Sequence, residues 1–522
     1  MMPTTRGDGR SFVSALLFLC CVAVAGCGQS HPNVLLISVD MLRPDHLSCY
    51  GYRQPTSPSI DALAKEGVAF DKNFASSSWT LPSHAAIFTS LPDSLHGCTD
   101  TDRSLDPSAV TLAERFQAFG YETAGFFSGA YLHPAFGLGQ GFERYVDCTS
   151  YAAMMDGKPP SQWAMDKDVM AASHHDDPGE KTYSEFKAWL DKRSKKPFFA
   201  FVHFWDVHFD FTPPPPYDTK FDPGYKGPID GKDFFFDQER YKAGMDPKDY
   251  QHLLALYDGE IAWTDSLIGR IRADLEKQGL LENTVIALTS DHGTEFFEHG
   301  SKAHRMTLYD EVIRTPLVIR YPKSLPQGRR VGELSRGIDL GPTLIELAGF
   351  PAPQDVYGES LLPTLGSPEG VGAGASGGKQ PPMNRVVGRA VSELDSLGQH
   401  LRSVRTQKWK LVDDVGREDH WYYDLQKDPG ELTQLRDFES ELGKKASTGY
   451  LEETAALDSF FNEHAVPAAR GVVPSNPPPG VQSELEHFGY TGGEGGKKAA
   501  GDPKPAGAPA DPRTTPPKSD PK

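Results

Sequence analysis

The chain has 522 residues, a formal net charge of -18 and a hydrophobic fraction of 38%. This length and composition are typical of a globular protein with one large domain, with or without a smaller one. The acidic balance argues against a nucleic-acid partner, because no basic face is available to track phosphates. An anionic substrate would therefore need a locally positive pocket, which metal ions would supply most directly.

The N-terminal residues 1–26 resemble a bacterial lipoprotein signal peptide. Arg6 and Arg10 precede an apolar run over 12–25 that is short for a membrane span, and small residues stand directly before Cys27. We expect an exported protein of the bacterial cell envelope, periplasmic or on the outer surface, held to the membrane only through a lipid on Cys27. The alternative is an ordinary secretory signal in which Cys27 is incidental.

Apolar periodicity then alternates between strand and helix. Residues 33–39 form a continuous apolar run, as expected for a parallel strand buried on both faces. Further strands are predicted over 122–127, 197–205, 284–289 and 316–321, and helices over 59–66, 82–89, 110–119, 247–278 and 340–348. This alternation predicts an α/β sandwich around a mostly parallel sheet.

Four segments lack this periodicity. Residues 151–178 and 217–247 are rich in Pro, Gly, Asp and Lys, and we expect them to be inserted loops that line the mouth of a substrate site. Residues 366–384 are rich in Gly and Pro and are predicted to be a linker. Residues 491–522 contain almost no large apolar side chain, which predicts a disordered tail.

Three cysteines remain after the signal and Cys27 are set aside: Cys49, Cys98 and Cys148. In an oxidising compartment we expect one disulfide and one leftover thiol, with Cys98 and Cys148 as the better pair because they flank one segment. Three buried free cysteines are the alternative, and the sequence leaves both open.

Candidate metal ligands follow two of the predicted strands. Asp40 ends the strand over 33–39, and Asp291 and His292 follow the strand over 284–289. In an open α/β sheet, ligands bind beyond the carboxyl ends of the strands, so these side chains are candidates to hold a cation. An imidazole beside a carboxylate favours Zn or Mn over Ca. The alternative for Asp291 and His292 is a capped turn without a metal.

Thr80 is the candidate nucleophile. Pro82 suits the first turn of the predicted helix over 82–89, which places the Thr80 hydroxyl near a helix N-terminus. The helix dipole and free amides there would stabilise an alkoxide and a transferred anionic group. The alternative is that Thr80 is only the N-cap of that helix, and both roles are compatible.

These blocks together resemble the sulfatase family of the alkaline phosphatase superfamily. Residues 33–40 are similar to its first strand and metal-binding Asp, and 290–293 to its second metal-binding block. Residues 80–84 stand where the family carries Cys or Ser, any residue, Pro, any residue and Arg. The resemblance covers roughly 33–434, and these paired blocks are more specific than one short motif.

The resemblance implies an alkaline-phosphatase-like α/β sandwich with a mostly parallel central sheet. It places a catalytic domain over 31–365 and a small antiparallel subdomain over 385–440. It also implies a metal held by Asp40, Thr80, Asp291 and His292. The family often has a second acid where this chain has Met41, so an oxygen-rich calcium site is disfavoured. We expect a divalent metal, with Zn or Mn favoured and Ca as the alternative.

Thr80 also bears on the reaction. Sulfatases oxidise their Cys or Ser to an aldehyde, whereas the β-methyl group of Thr80 would give a ketone, and His84 replaces the Arg of the modification signal. We therefore expect an unmodified hydroxyl nucleophile. Such a nucleophile suits phosphoryl transfer, so phosphate or phosphonate esters should be turned over at least as well as sulfate esters.

Other site residues come from the same resemblance. His208 resembles the family's Asp-any-His element, and His304 lies in a block that resembles the one before the strand over 316–321. In the family these positions contact the anion or protonate the leaving group. His84 is a candidate to replace the missing Arg, and Lys302 is a further candidate for the anion. The alternative for each residue taken alone is a surface or core role.

The sequence therefore predicts a hydrolase of sulfate or phosphate and phosphonate esters, acting on an anionic small-molecule or glycan ester. One rival is a phosphoethanolamine- or phosphoglycerol-type transferase, disfavoured because such transferases usually carry several membrane spans. Another is an inactive metal-binding relative, which incomplete metal ligands would favour. Asp40, Asp291 and His292 are all present.

Overall fold

The computed structural model of the protein describes residues 31–149, 178–365 and 388–464. The predicted signal peptide, Cys27, the linker over 366–384 and the tail over 491–522 lie outside these residues. So does the predicted loop over 151–178, apart from its last residue.

Ten strands lie in the first two described segments. In chain order they are β1 (Asn33–Val39), β2 (Val68–Phe74), β3 (Glu122–Phe127), β4 (Arg144–Asp147), β5 (Phe198–Phe204), β6 (Thr284–Thr289), β7 (Glu295–Phe296), β8 (Lys302–Ala303), β9 (Arg314–Arg320) and β10 (Arg329–Arg336). Eight of them form one sheet in the order β10-β2-β9-β6-β1-β5-β3-β4, and β7 pairs with β8 in a separate hairpin. Within the sheet, β9 runs antiparallel to both of its neighbours and the other pairs are parallel. The predicted mostly parallel sheet is confirmed.

The centre of the sheet explains why its strands read as continuous apolar runs. Every residue of β1, β5 and β6 is buried. Helices cover the sheet, so neither face of these strands meets water and no polar alternation is needed. The predicted bounds of β1, β3 and β6 agree with the structure residue for residue.

The described residues contain nine α-helices. They are α1 (Pro58–Glu66), α2 (Thr80–Thr89), α3 (Asp93–His96), α4 (Leu112–Ala118), α5 (Pro178–Leu190), α6 (Pro247–Lys277), α7 (Asp310–Ile313), α8 (Leu340–Leu347) and α9 (Glu441–His464). Every residue of α2 is buried, which makes it a core helix rather than a surface one. It begins at Thr80, two residues before the predicted start.

The edge strands β4 and β10, the strand β2 beside β10, and the helices α5 and α9 were not predicted. β10 reads Arg-Arg-Val-Gly-Glu-Leu-Ser-Arg and is half exposed at the edge of the sheet, so it carries no buried apolar run. β2 is interrupted by a register shift between Phe70 and Asn73. Edges and bulges weaken the period-two pattern on which sequence prediction depends.

A small antiparallel sheet follows in the C-terminal part, as predicted. Its strands are β11 (Ala390–Ser396), β12 (Gln399–Arg405), β13 (Trp409–Asp414) and β14 (Asp419–Asp424), paired in sequence order. The edge strand β11 binds the loop before Thr80, because the Glu393 amide donates to Ser76 O at 2.7 Å and Ser392 Oγ donates to Ala75 O at 2.6 Å. The subdomain therefore supports the loop that presents the candidate nucleophile.

Cys49, Cys98 and Cys148 are free thiols, as in the second of the two alternatives, but only Cys98 and Cys148 are buried and Cys49 is half-buried. None of the helices in the described segments combines the length and apolar character that a membrane span requires.

Candidate active site

The sheet places the two predicted metal-binding blocks side by side. β1 lies between β5 and β6, parallel to both, and Ser38 of β1 is in register with Thr289 of β6. Asp40 and Asp291 each stand two residues after this register pair, so their side chains meet at the carboxyl edge of the sheet. The Asp40 amide is held there by a 2.9 Å hydrogen bond to Phe204 O of β5.

Asp40, Asp291 and His292 form a group with the geometry of a cation site, and all three are fully buried. His292 Nε2 lies 3.5 Å from Asp40 Oδ1 and 3.5 Å from Asp291 Oδ2. Thr80 Oγ1 lies 3.4 Å from Asp40 Oδ2 and 3.3 Å from His292 Nε2. The four predicted metal ligands are therefore brought together, across 252 residues of sequence.

The hydrogen bonds of this group fit a bound cation. His292 Nδ1 lies 2.8 Å from Gly293 O, which can only accept, so the proton is on Nδ1 and the Nε2 lone pair faces the carboxylates. Asp40 Oδ1 and Asp291 Oδ2 are buried and have no hydrogen-bond partner. Lone pairs gathered in this way repel one another unless a positive charge lies between them. The residues present thus fit a divalent metal.

Burial raises the pKa of Asp40 to about 6, against the lowering effects of His292 and of the Thr80 hydroxyl. Burial thus makes this carboxylate easier to protonate than an exposed one, and a bound cation would favour its ionised form.

Met41 does not contribute to this group. Its side chain is fully buried in the hydrophobic core, and its carbonyl accepts a 2.7 Å hydrogen bond from the Tyr257 hydroxyl. Its φ of 54° makes the sharp turn that carries the chain away after Asp40. The group therefore has one carboxylate fewer than a site with a second acid would have, which disfavours Ca.

Thr80 is the first residue of α2, and the N-cap position belongs to Trp79, which makes no side-chain cap. The Thr80 hydroxyl points to Asp40 and His292 instead of to the helix amides. This orientation does not fit a role as a helix cap alone. Its position in the first turn still places it at the positive end of the helix dipole.

His84 lies beneath the ligand group rather than in the cavity above it. The side chain is fully buried. Its Nδ1 donates to Thr80 O at 2.9 Å, and its Nε2 accepts from Ser38 Oγ at 3.0 Å. Burial lowers the pKa of His84 to about 3. These contacts tie the backbone of Thr80 to β1, and contact between His84 and the anion stays a prediction.

His203 is a further histidine of this buried layer. It lies on β5 in register with Ser38, its Nε2 is 3.6 Å from Asp40 Oδ2, and its ring is 4.8 Å from that of His84. Burial lowers the pKa of His203 to about 4. Its position on the strand adjacent to Asp40 is a signal that could have found it.

His208 and His304 meet on the opposite side of the group. Their ring centres are 5.2 Å apart, and the His304 ring is 4.5 Å from that of His292. His208 Nδ1 donates to Phe209 O at 2.7 Å. Burial holds the pKa of His304 well below its usual value. Two predicted site residues that are 96 positions apart in sequence are therefore neighbours in the fold.

A small cavity opens above Thr80. It is lined by Asp40, Thr80, Gly129, Ala130, Tyr131, Trp205 and His208. Lys302 is directed elsewhere: its Nζ donates to Tyr241 O at 2.8 Å, and burial lowers its pKa to about 8. Contact between Lys302 and an anion stays a prediction.

Comparison with known proteins agrees with this geometry. The family model described as Sulfatase matches residues 32–350, more than half of the chain. N-acetylglucosamine-6-O-sulfatase of Bacteroides thetaiotaomicron is 25% identical over 499 residues, which cover 80% of this chain and 86% of the relative. The sulfatase YidJ of Escherichia coli is 26% identical over 444 residues, covering 78% and 84%.

The solved structures with the same fold include one with a sulfated substrate and one of a phosphonate monoester hydrolase. One, in complex with its substrate D-glucosamine-2-N,6-O-disulfate, has a TM-score of 0.64 at 22% identity and covers 85% of this chain and 100% of that chain. The phosphonate monoester hydrolase of Agrobacterium radiobacter has a TM-score of 0.62 at 24% identity and covers 82% and 95%.

Proposed function

This chain belongs to the sulfatase family, and from that premise we propose that it is a metal-dependent ester hydrolase with an unmodified Thr80 hydroxyl as its nucleophile. Membership of the family makes it a sulfuric ester hydrolase. The observation that carries the finer proposal is the direction of the Thr80 hydroxyl, which lies 3.4 Å from Asp40 and 3.3 Å from His292.

Asp40, Thr80, Asp291 and His292 would hold the divalent metal. When bound, the metal lowers the pKa of a coordinated hydroxyl and neutralises charge on the transferred group. Zn or Mn is favoured because the group offers an imidazole nitrogen and because Met41 supplies no carboxylate. Calcium remains the alternative.

The other steps of the proposed reaction are carried out by side chains of the protein. The Thr80 hydroxyl gives its proton to Asp40 Oδ2, toward which it points, and Oγ1 attacks the phosphorus or sulfur atom of the ester while the bond to the leaving oxygen breaks. His208, which lines the cavity at Thr80, or His304, whose ring lies 5.2 Å from that of His208, gives the leaving oxygen its proton. Water then hydrolyses the covalent ester on Thr80 and releases the anion. His84 keeps the nucleophile in place through Thr80 O.

An anionic glycan ester is the substrate class that the similar proteins support. One relative is a sulfatase of N-acetylglucosamine, and one fold neighbour binds a disulfated glucosamine. A second neighbour is a phosphonate monoester hydrolase, which supports phosphonate and phosphate esters as further substrates for a plain hydroxyl nucleophile. Export with a lipid on Cys27 would place the enzyme in the cell envelope, where such glycans are encountered.

A panel of aryl sulfate, aryl phosphate and aryl phosphonate esters tests this proposal. The wild-type enzyme should turn over the phosphorus esters at least as well as the sulfate, and Thr80→Ala should lose nearly all activity on each. The intact mass of the Thr80 peptide should show no oxidation. Efficient sulfate cleavage with no phosphorus-ester cleavage would contradict the mechanism, and inactivity of the metal-loaded wild type on the whole panel would contradict the enzymatic proposal.

A further inference from the structure

Lys302 lies on a hairpin that joins the two histidine-bearing blocks of the site. The strands β7 and β8 pair antiparallel, with Phe296 in register with Lys302. His292 stands three residues before β7, and His304 follows β8 directly. A contact that holds Lys302 in place therefore also restrains the segment between His292 and His304, both of which lie in the candidate site.

The ammonium group of Lys302 is bound to another part of the chain. Its Nζ donates to Tyr241 O at 2.8 Å and to Asp237 O at 3.4 Å. It also lies 5.3 Å from the ring centre of Phe234 and 5.7 Å from that of Tyr241. Only 8% of the residue is exposed. An ammonium has three donors and no acceptor, so two carbonyls and two ring faces are a suitable environment for it.

These contacts all fall within residues 230–241, part of the predicted loop over 217–247. We call residues 230–241 the wall segment. Its Gly231 carbonyl accepts from the Phe211 amide at 3.1 Å, and its Phe234 amide donates to Asp210 Oδ1 at 3.0 Å. It contains no α-helix or β-strand. The wall segment is therefore held by hydrogen bonds to its neighbours and by the buried rings of Phe234 and Tyr241, and Lys302 adds a buried charge.

The wall segment reaches the histidines of the site through the ring of Phe209, which also lies 6.3 Å from the Phe234 ring. Phe235 stacks on Phe209, with ring centres 5.6 Å apart and an angle of 10° between the planes. The Phe209 ring is in turn 4.1 Å from His208 and 5.5 Å from His304. Phe235 is partly exposed, so its ring forms surface next to the residues assigned to the leaving oxygen.

We propose that Lys302 is a positioning residue that fastens the wall segment beside the active site, and that Phe235 of this segment recognises the ring of the leaving group. The second half rests on the proposed function, because it uses the assignment of His208 and His304 to the leaving oxygen. Contact between an aromatic face and the apolar face of a sugar or aryl ring buries apolar area and stabilises binding. A methyl group has too little area for a comparable gain in binding free energy. The substrate class is thus an ester whose leaving group is a ring.

Amide hydrogen exchange tests whether Lys302 holds the wall segment in place, and it does not require enzymatic activity. In Lys302→Met the carbonyls of Asp237 and Tyr241 lose their donor, so amides of the wall segment should exchange at least about fivefold faster than in the wild type. Lys232→Met is the matched control, because Lys232 is an exposed lysine of the same segment, and its exchange should match the wild type. Unchanged exchange in Lys302→Met would overturn the fastening role.

Kinetics test the recognition of the leaving group. For an aryl ester, Phe235→Ala and Lys302→Met should raise KM about tenfold with little change in kcat, whereas KM for the matching methyl ester should stay the same. Phe235 is partly exposed, so this variant should fold even where Lys302→Met does not. An equal effect on both esters, or no effect on either, would overturn the recognition role. A wild type inactive on both esters would overturn the proposed function, and the exchange experiment would still decide the role of Lys302.

Discussion

The guanidinium carbon of Arg305 lies 3.8 Å from the centre of the Trp79 ring. The same guanidinium donates to the Tyr131 hydroxyl at 2.9 Å and to Asp100 Oδ1 at 2.8 Å, and the Arg305 amide donates to Ser78 O at 3.1 Å. Trp79 directly precedes Thr80. The buried Arg305 guanidinium therefore holds both the loop before Thr80 and Tyr131, which lines the cavity.

Arg305→Lys should destabilise the protein by about 2–4 kcal/mol, because a lysine ammonium does not reproduce the planar stack on Trp79 or the several directed hydrogen bonds. Denaturant unfolding measures the change, and kcat should fall with it because the loop before Thr80 loosens. Arg103→Lys is the control: Arg103 is a partly exposed arginine that bonds Thr99 and Asp395, and its replacement should cost less than about 1 kcal/mol. Equal effects of the two substitutions would contradict the assigned role of Arg305.

Asp291→Ala should remove the bound metal, because it takes away one of the two carboxylates that face His292 Nε2. Elemental analysis of the purified protein measures the stoichiometry, which should fall from about one per chain to near zero. Asp93→Ala is the matched control, since Asp93 is also a buried acid beside a histidine, at 3.3 Å from His96 Nε2, but lies outside the group. An unchanged metal content in the Asp291 variant would show that the site has been misassigned.

Thr80→Ser should keep measurable activity, within about 100-fold of the wild type, because serine retains the hydroxyl that faces Asp40 and His292. Thr80→Ala removes that hydroxyl and should reduce kcat by at least about 1,000-fold. Single-turnover kinetics with an aryl phosphate measure both. If the alanine variant were as active as the serine variant, the nucleophile would have to be another group.

Glu295→Gln should stabilise the protein increasingly as the pH rises. Burial raises the pKa of Glu295 to about 8. Its Oε2 accepts from Thr307 Oγ1 at 2.7 Å, and its buried Oε1 has no hydrogen-bond partner. The pKa of Glu295 is therefore higher in the folded state than in the unfolded chain. Between the unfolded pKa and about pH 8, the unfolded chain binds fewer protons than the folded protein. The contribution of Glu295 to stability falls as the pH rises through this range. Glutamine keeps the acceptor and cannot ionise.

Melting temperatures at about pH 5 and about pH 9 check this prediction. The difference between E295Q and the wild type should be small at the lower pH and should grow to several degrees at the higher one. Glu298→Gln serves as a control on the same loop, since Glu298 pairs with Arg43 at 2.6 Å and its removal should not produce such a gain. A constant difference across the range would contradict the protonated state of Glu295.

Cys27→Ser should release the protein from membranes if Cys27 carries the lipid, because no helix of the described residues offers an alternative anchor. Fractionation after an alkaline wash measures the attached share, which should fall from nearly all to nearly none. Cys49→Ser is the control, since Cys49 is a partly buried free thiol of the folded domain. A Cys27 variant still attached after the wash would contradict lipid anchoring.

The positions of Asp40, Asp291 and His292 could be predicted from the sequence because these residues follow the ends of recognisable strands. The apolar runs over 33–39 and 284–289 are long enough to identify two buried parallel strands, and such strands end at a common edge. Asp40, Asp291 and His292 stand within three residues of those ends. The proximity of Thr80 was inferred from the family resemblance, and its hydroxyl direction came only from the fold.

The sequence by itself thus determined the α/β class, the central strands and the ligand group, since a period and a strand end are local properties of the chain. Only the tertiary structure decided where the long and polar side chains point. Lys302 Nζ meets carbonyls 61 and 65 residues earlier in the chain, and Arg305 meets Ser396, 91 residues later. Each of these cationic side chains could bind either a substrate anion or an acceptor inside the protein. The choice depends on whether a buried charge finds acceptors from other elements, which is a property of the packed molecule and not of the local pattern.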